Sequence, residues 1–186
     1  MFEPIRRIVT GHNEAGRSVI LFDGLVRPEH EMQDNVYLWV TEQTPASNAG
    51  RTDAADRPLR LEPPPQGSVF RFVHFPPEAE MAALSAEERE KLMAELFGSM
   101  GAGHVRVDTT RSPGMHKTRT LDYVVLLSGE VTMLLDEGEV DLVPFNVVVQ
   151  RGTNHGWVNR GTTPALLAVV MIDANPIQER RKGQGS

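Results

Sequence analysis

Hydrophobic positions are sparse before about residue 110 and come in short, evenly spaced runs after it. IRRIVT (5–10), RSVILFDG (17–24), NVYLWVT (35–41) and SVFRFVHF (68–75) are β-prone, and the turn-rich GHNEAG separates the first two. Pro76-Pro77 stops the fourth run. Between Glu42 and Gly67 no hydrophobic period appears, only Pro, Ala, Asp and Arg in excess. That is long for a loop in a compact domain, and it predicts a partly mobile surface excursion in a position to cover a pocket mouth. LSAEEREKLMAELFGSMG predicts a helix over 86–98 packed outside a sheet. Ser85 and Glu88 form an S-x-x-E capping box, and Leu92, Met93, Leu96 and Phe97 recur at helical spacing. Gly98 or Gly101 ends it. From Met115 onward LDYVVLL, VTMLL, VDLV, VVVQ, WVNR and ALLAVVMI alternate with turns. Strands this short at this rhythm argue for an antiparallel sandwich or barrel. The tail, ending QERRKGQGS, reads as solvated and flexible.

With 186 residues the chain suffices for one domain with a real core. The net charge is -6 and the cations are scattered, so the basic stripe required by nucleic-acid partners is missing. No apolar run approaches the roughly 20 residues of a membrane span, and MFEPIRRIVT lacks the apolar stretch of a signal peptide. A cytoplasmic location is the default expectation. There are no cysteines, so any metal must use nitrogen and oxygen ligands. GSMGAGH follows a helix and lacks the Lys-Ser/Thr ending of a phosphate loop, and no G-x-S-x-G elbow occurs.

The region 110–172 resembles the cupin superfamily, a small double-stranded β-helix barrel of the jelly-roll kind. His116, Thr118, Asp122 and Gly129 fall on the landmarks of its first motif, G-x5-H-x-H-x3,4-E-x6-G. Gln150, Gly152, His155 and Asn159 fall on the second, P-x-G-x2-H-x3-N. Threonine thus stands for a histidine, aspartate for glutamate and glutamine for proline. Phe145-Asn146 replaces the usual Gly-Asp turn. The implied fold is all-β: a barrel core at 110–172, preceded within the same domain by an N-terminal β-arm, the 42–67 excursion and one external helix (1–109), and followed by the tail (173–186).

Side chains on a strand alternate between faces, so His116, Thr118, Thr120 and Asp122 share one face if the stretch is extended. His155, Trp157 and Asn159 share another. The resemblance places both faces inside the barrel, with the glycines at the tight reversals. Arg119 and Tyr123 have the opposite parity and are expected outside. Typical cupins hold a divalent metal with three histidines and a glutamate. The surviving set here, His116, Asp122 and His155, is a two-His-one-carboxylate set suited to Fe, and less selectively to Mn, Zn or Ni. Losing an imidazole weakens such a site, and His104 and His74 are candidate recruits. The metal-free alternative makes His116 or His155 a general acid or base, with Asp122 orienting an imidazole or taking the proton itself. Thr118, Thr120, Val124, Trp157 and Asn159 are candidate substrate contacts. Strand packing competes for Thr120, core packing for Trp157 and turn-holding for Asn159. Val124, Leu126 and Met133 are expected to make the interior apolar.

The expected function is a cupin-type lyase, decarboxylase, dehydratase or isomerase acting on a small carboxylated or phenolic compound. The alternatives are a small-ligand-binding module and an Fe(II)-dependent dioxygenase. A homodimer formed through the N-terminal β-arm is expected, because cupins are commonly dimers and the arm can pair with a neighbour's sheet edge.

Overall fold

The computed structural model describes residues 4–26 and 35–176. Most of the tail, 177–186, therefore lies outside the described residues. β1 (Ile5–His12) and β2 (Ser18–Val26) form a hairpin of their own, reversed at Gly16 with φ 72°. β3 (Asn35–Thr41) and β4 (Ser68–Phe75) join β10 (Ala165–Asp173), β5 (Thr120–Ser128) and β8 (Val147–Arg151) in a five-stranded sheet, ordered β3-β4-β10-β5-β8. β7 (Glu139–Leu142), β6 (Val131–Leu135) and β9 (His155–Val158) make a three-stranded sheet in that order. All pairings are antiparallel. The two sheets face each other as the jelly-roll barrel of the expected all-β class, and strands from before residue 110 contribute to the larger one.

Val124, Leu126, Val131, Leu142, Ala165 and Leu167 make the main core between the sheets. Fully burying such side chains stabilises the fold by roughly 1.5–3 kcal/mol each. Sequence alternation puts them there: Val124 and Leu126 share parity on β5, and Ala165 and Leu167 on β10.

Within the 42–67 segment, residues around Arg60 are held in place, whereas 42–52 are exposed. The Tyr37 hydroxyl bonds to both the N–H and the carbonyl of Arg60, each at 2.6 Å. Leu59 and Leu61 pack against Phe97, Met100, Ala102 and Val105. That second cluster also corrects the position of α1 (Ala86–Ser99). The helix starts at the expected Ser85–Glu88 capping box, and Gly101, at φ 68°, follows its end. Its buried face, however, meets the 59–61 and 100–105 segments rather than the outside of a sheet. Among the described residues no helix is long and apolar enough to cross a membrane.

At the β7–β8 corner Phe145 occupies a left-handed conformation, φ 69°, with 82% of its surface exposed. Phenylalanine here takes a positive φ that glycine adopts most readily. The corner nonetheless closes: Phe145 N–H donates to the Leu126 carbonyl at 2.7 Å, and Leu121↔Arg151 through Val125↔Val147 stay in register. A left-handed residue other than glycine costs about 1–2 kcal/mol, partly offset because glycine has more chain entropy to lose. Phe145→Gly is therefore expected to stabilise the protein by about 1 kcal/mol, read as a higher urea midpoint at unchanged m-value.

Candidate functional site

His116 and His155 meet because the backbone pairs them. His116 N–H donates to the His155 carbonyl at 2.8 Å and His155 N–H to the His116 carbonyl at 2.9 Å, a lone antiparallel bridge. It ties the segment entering β5 to β9, and so laces the two sheets together. The imidazole centroids lie 4.4 Å apart. Phe97 of α1 lies against the His116 ring at 5.0 Å, and Trp157 stands edge-on to His155 at 5.9 Å. Gly156 lies between the two: a Cβ there would sit 3.0 Å from the Met115 sulfur.

His155 is buried and His116 half-buried. Burial, with the neighbouring His155, lowers the pKa of His116 to about 3. Burial lowers that of His155 to about 4, partly offset by the Thr153 carbonyl. Both are neutral at pH 7, so neither titrates near neutrality as the sequence suggested. Their tautomers differ. His116 Nδ1 faces the Gly114 carbonyl at 2.9 Å and so carries the proton, leaving a lone pair on Nε2. Two neighbours compete for His155 Nδ1. The Thr153 carbonyl at 3.0 Å invites a proton there; the Gln150 amide nitrogen at 2.7 Å supplies one. Gln150 is anchored, its Oε1 accepting from Thr153 N–H at 3.3 Å and its Nε2 donating to the Thr153 carbonyl at 3.2 Å. The shorter, anchored contact decides, and His155 carries its proton on Nε2.

Asp122 lies opposite Gln150 in the β5–β8 register, with its side chain buried. The Thr118 and Thr120 hydroxyls are buried in the same row, 2.7 Å apart. Thr120 hydrogen-bonds the Asp122 carboxyl, whereas Asp122 Oδ1 has no partner. Burial raises the Asp122 pKa to about 6; the Thr120 bond and the charge of Arg71 pull it back only in part.

Arg71 is a residue that sequence reasoning missed. Only 1% exposed, it points into the barrel from β4. Its guanidinium donates to the carbonyls of Arg60 and Leu61 and lies against the Met171 sulfur, beside Asp122 in the β10–β5 register. Gln150 was visible only as a departure from the motif; its hold on His155 was not.

The remaining candidates separate. Val124 is sealed in the main core, and Trp157 packs against that core and against Phe75. Asn159 spends its side chain on backbone: its amide donates to the Phe75 and Thr163 carbonyls and its oxygen accepts from Gly161 N–H. It holds a turn. His104 is exposed and pairs with Glu62 at 2.9 Å, and His74 has the opposite parity to Arg71 on β4. Neither joins His116.

The resemblance implies a divalent metal, and the donor chemistry tests it. His116 Nε2 suits a ligand. His155 Nε2 carries a proton, and among the described residues no three His, Cys, Asp or Glu side chains gather as a metal-holding group. The residues present do not fit a three-ligand centre of His116, Asp122 and His155.

No protein-family model matches the chain. Among curated proteins it is similar to the cupin-domain-containing oxidoreductase fogC of Aspergillus ruber, 29% identical over 183 residues, covering 92% of this chain and 73% of the relative. Phomopsin biosynthesis cluster protein C' of Diaporthe leptostromiformis is 28% identical over 183 residues, covering 92% and 80%. The cupin-domain-containing oxidoreductase virC of Hypocrea virens is 26% identical over 186 residues, covering 92% and 77%. A solved RmlC-like cupin family protein from Methanocaldococcus jannaschii aligns at 10% identity and a TM-score of 0.41, covering 80% of this chain and 86% of that one.

The pKa shifts fix a pH dependence. Both histidines are depressed, so their contribution is present above pH 6.5 and is lost as pH falls toward about 4 and 3. Asp122 is raised, so its contribution is present below 3.8 and is lost as pH rises through about 6. Between roughly pH 4 and 6 the unfolded chain binds two histidine protons more and one carboxyl proton fewer, and stability rises with pH. Asp122→Asn removes the opposing proton. Its urea stability is expected to rise about twice as steeply over that window as the wild type's.

Proposed function

We propose that this chain, which belongs to the cupin superfamily, transforms a small carboxylated or phenolic molecule by proton transfer inside its barrel, in the manner of a lyase, decarboxylase, dehydratase or isomerase. One observation carries the reading: Asp122 is a buried carboxyl with an unpartnered oxygen and a pKa of about 6. A carboxyl held there exchanges protons at neutral pH, where an ordinary aspartate is a poor base. At pH 7 the ionised form prevails and takes the proton from a carbon or hydroxyl acid; the protonated form returns it. His155 Nε2–H donates to the substrate oxygen where charge develops. His116 Nε2 accepts from a substrate hydroxyl. Phe97 packs against the His116 ring.

A second reading is oxidation, favoured by the names of the relatives from Aspergillus ruber and Hypocrea virens. An Fe(II)-dependent dioxygenase would need His155 in its other tautomer, with Gln150 turned away. The third reading, a module that binds without transforming, keeps the same pocket and leaves its ligand unchanged.

The hairpin supports a homodimer. Its outer row exposes Ile8, Ile20 and Leu25, and the larger sheet exposes Phe70, Tyr123, Val147 and Val149 on its outer face. A two-stranded hairpin is marginal alone, and a second copy's sheet is a surface of matching character. Light scattering is expected to give twice the chain mass, and Ile8→Asp with Ile20→Asp to give the monomer. A wild-type monomer at micromolar concentration would refute the pairing.

Activity is tested by incubating the protein with small hydroxy, keto and phenolic acids in deuterated water and following exchange and product by NMR. Asp122→Asn is expected to slow turnover about 100-fold or more, the range of general acid–base catalysis, while the far-ultraviolet circular dichroism stays unchanged. Turnover that survives Asp122→Asn but needs added Fe(II) and oxygen supports the oxidative reading. A ligand recovered without exchange supports the binding module.

A further inference from the structure

A pocket of about 480 Å³ opens where β5 begins and β8 ends, outside the histidine pair. Arg119 and Arg151 line it, and among its described lining residues there is no aspartate or glutamate. That is unusual on a chain of net charge -6. Arg6, Arg7, Arg57, Arg106, Arg111 and Arg160 each pair with a carboxylate. Among the described residues no ion pair engages Arg119 or Arg151. The register places them together: Arg151 lies opposite Leu121, two residues beyond Arg119. Glu62 accepts from the Arg119 backbone N–H at 3.5 Å and meets His104 at 2.9 Å. Thr118 and Thr120 border the pocket from its buried side, and Gly152, at φ 60°, lets the backbone turn close to it.

We propose that this pocket binds an oxyanion, the carboxylate or phosphate of a small ligand, between the Arg119 and Arg151 guanidinium groups. Planar guanidinium groups match an oxyanion with paired N–H donors. The Thr118 and Thr120 hydroxyls continue from the pocket to Asp122, so the rest of the ligand extends toward that carboxyl. This last link rests on the proton-transfer reading; the anion site does not. The expectation from strand parity that Arg119 lies outside the barrel is consistent with it: the clamp stands at the rim.

The test is an NMR titration of the full chain with succinate and, separately, with inorganic phosphate, at constant ionic strength in chloride. Saturable shifts at the amides of Thr118, Arg119 and Gly152, with a Kd on the order of 1 mM or tighter, are expected for at least one. Tighter succinate names a carboxylate ligand, and tighter phosphate a phosphorylated one. Arg119→Gln with Arg151→Gln is expected to weaken binding at least about tenfold. These exposed positions tolerate glutamine, and unchanged thermal melting checks it. Asp122→Asn is expected to keep the anion affinity, so a failure of the proton-transfer reading leaves this result standing. Shifts that do not saturate by about 10 mM, or an affinity unchanged in the double variant, overturn the proposal.

Discussion

A guanidinium cannot be buried without acceptors, and Arg71 imposes that condition on the larger half of the fold. It points into the barrel, where an unpaired charge would cost several kcal/mol. The acceptors come from a segment with no secondary structure, the carbonyls of Arg60 and Leu61. Tyr37 fixes the same segment from the neighbouring strand. With 59–61 held, Leu59 and Leu61 present a surface on which Phe97, Met100 and Val105 pack. Phe97 in turn meets His116. One buried charge thus organises a polar segment, positions a helix and closes one side of the site.

Burial sorts the titratable groups of the interior by sign. It disfavours charge in every case, so it moves the histidines down and Asp122 up. The same desolvation removes His116 and His155 from proton chemistry at pH 7 and brings Asp122 into it. Glutamine at 150 extends this division. Its anchored amide holds the His155 ring through Nδ1. Thr118 and Gln150 both hydrogen-bond in the interior, to Thr120 and to His155.

Where local pattern and burial agree, the sequence was easy to read. The short runs after Met115 became β5 to β10 within a residue or two, and the capping box placed the start of α1. Two-motif spacing located His116 and His155 as neighbours although 39 positions separate them. What stayed hidden depends on which face of a strand turns inward. In SVFRFVHF alternation alone favours the Phe70–Phe72 row as the buried one. The barrel buries the other, leaving Phe70 36% exposed and Arg71 1% exposed. Nothing local announces this, because the acceptors of Arg71 lie ten and eleven residues away in a stretch without periodicity. The position of α1 was missed for the same reason: its partner is that stretch. Tautomers were out of reach as well, since they depend on single contacts made by Gly114 and Gln150.

Arg71 and Asp122 differ in what their burial achieves. Apolar replacement of buried charges is often neutral or stabilising, so a retained charge calls for a reason. For Arg71 the reason is structural, since it holds two carbonyls and a neighbouring strand's Met171. Asp122 has no comparable role. It bonds Thr120, leaves Oδ1 without a partner and reaches Arg71 only through space. An asparagine, or an apolar residue of similar volume, would meet the packing at lower cost. A carboxyl buried at a net loss is the arrangement expected where the group is kept for its proton.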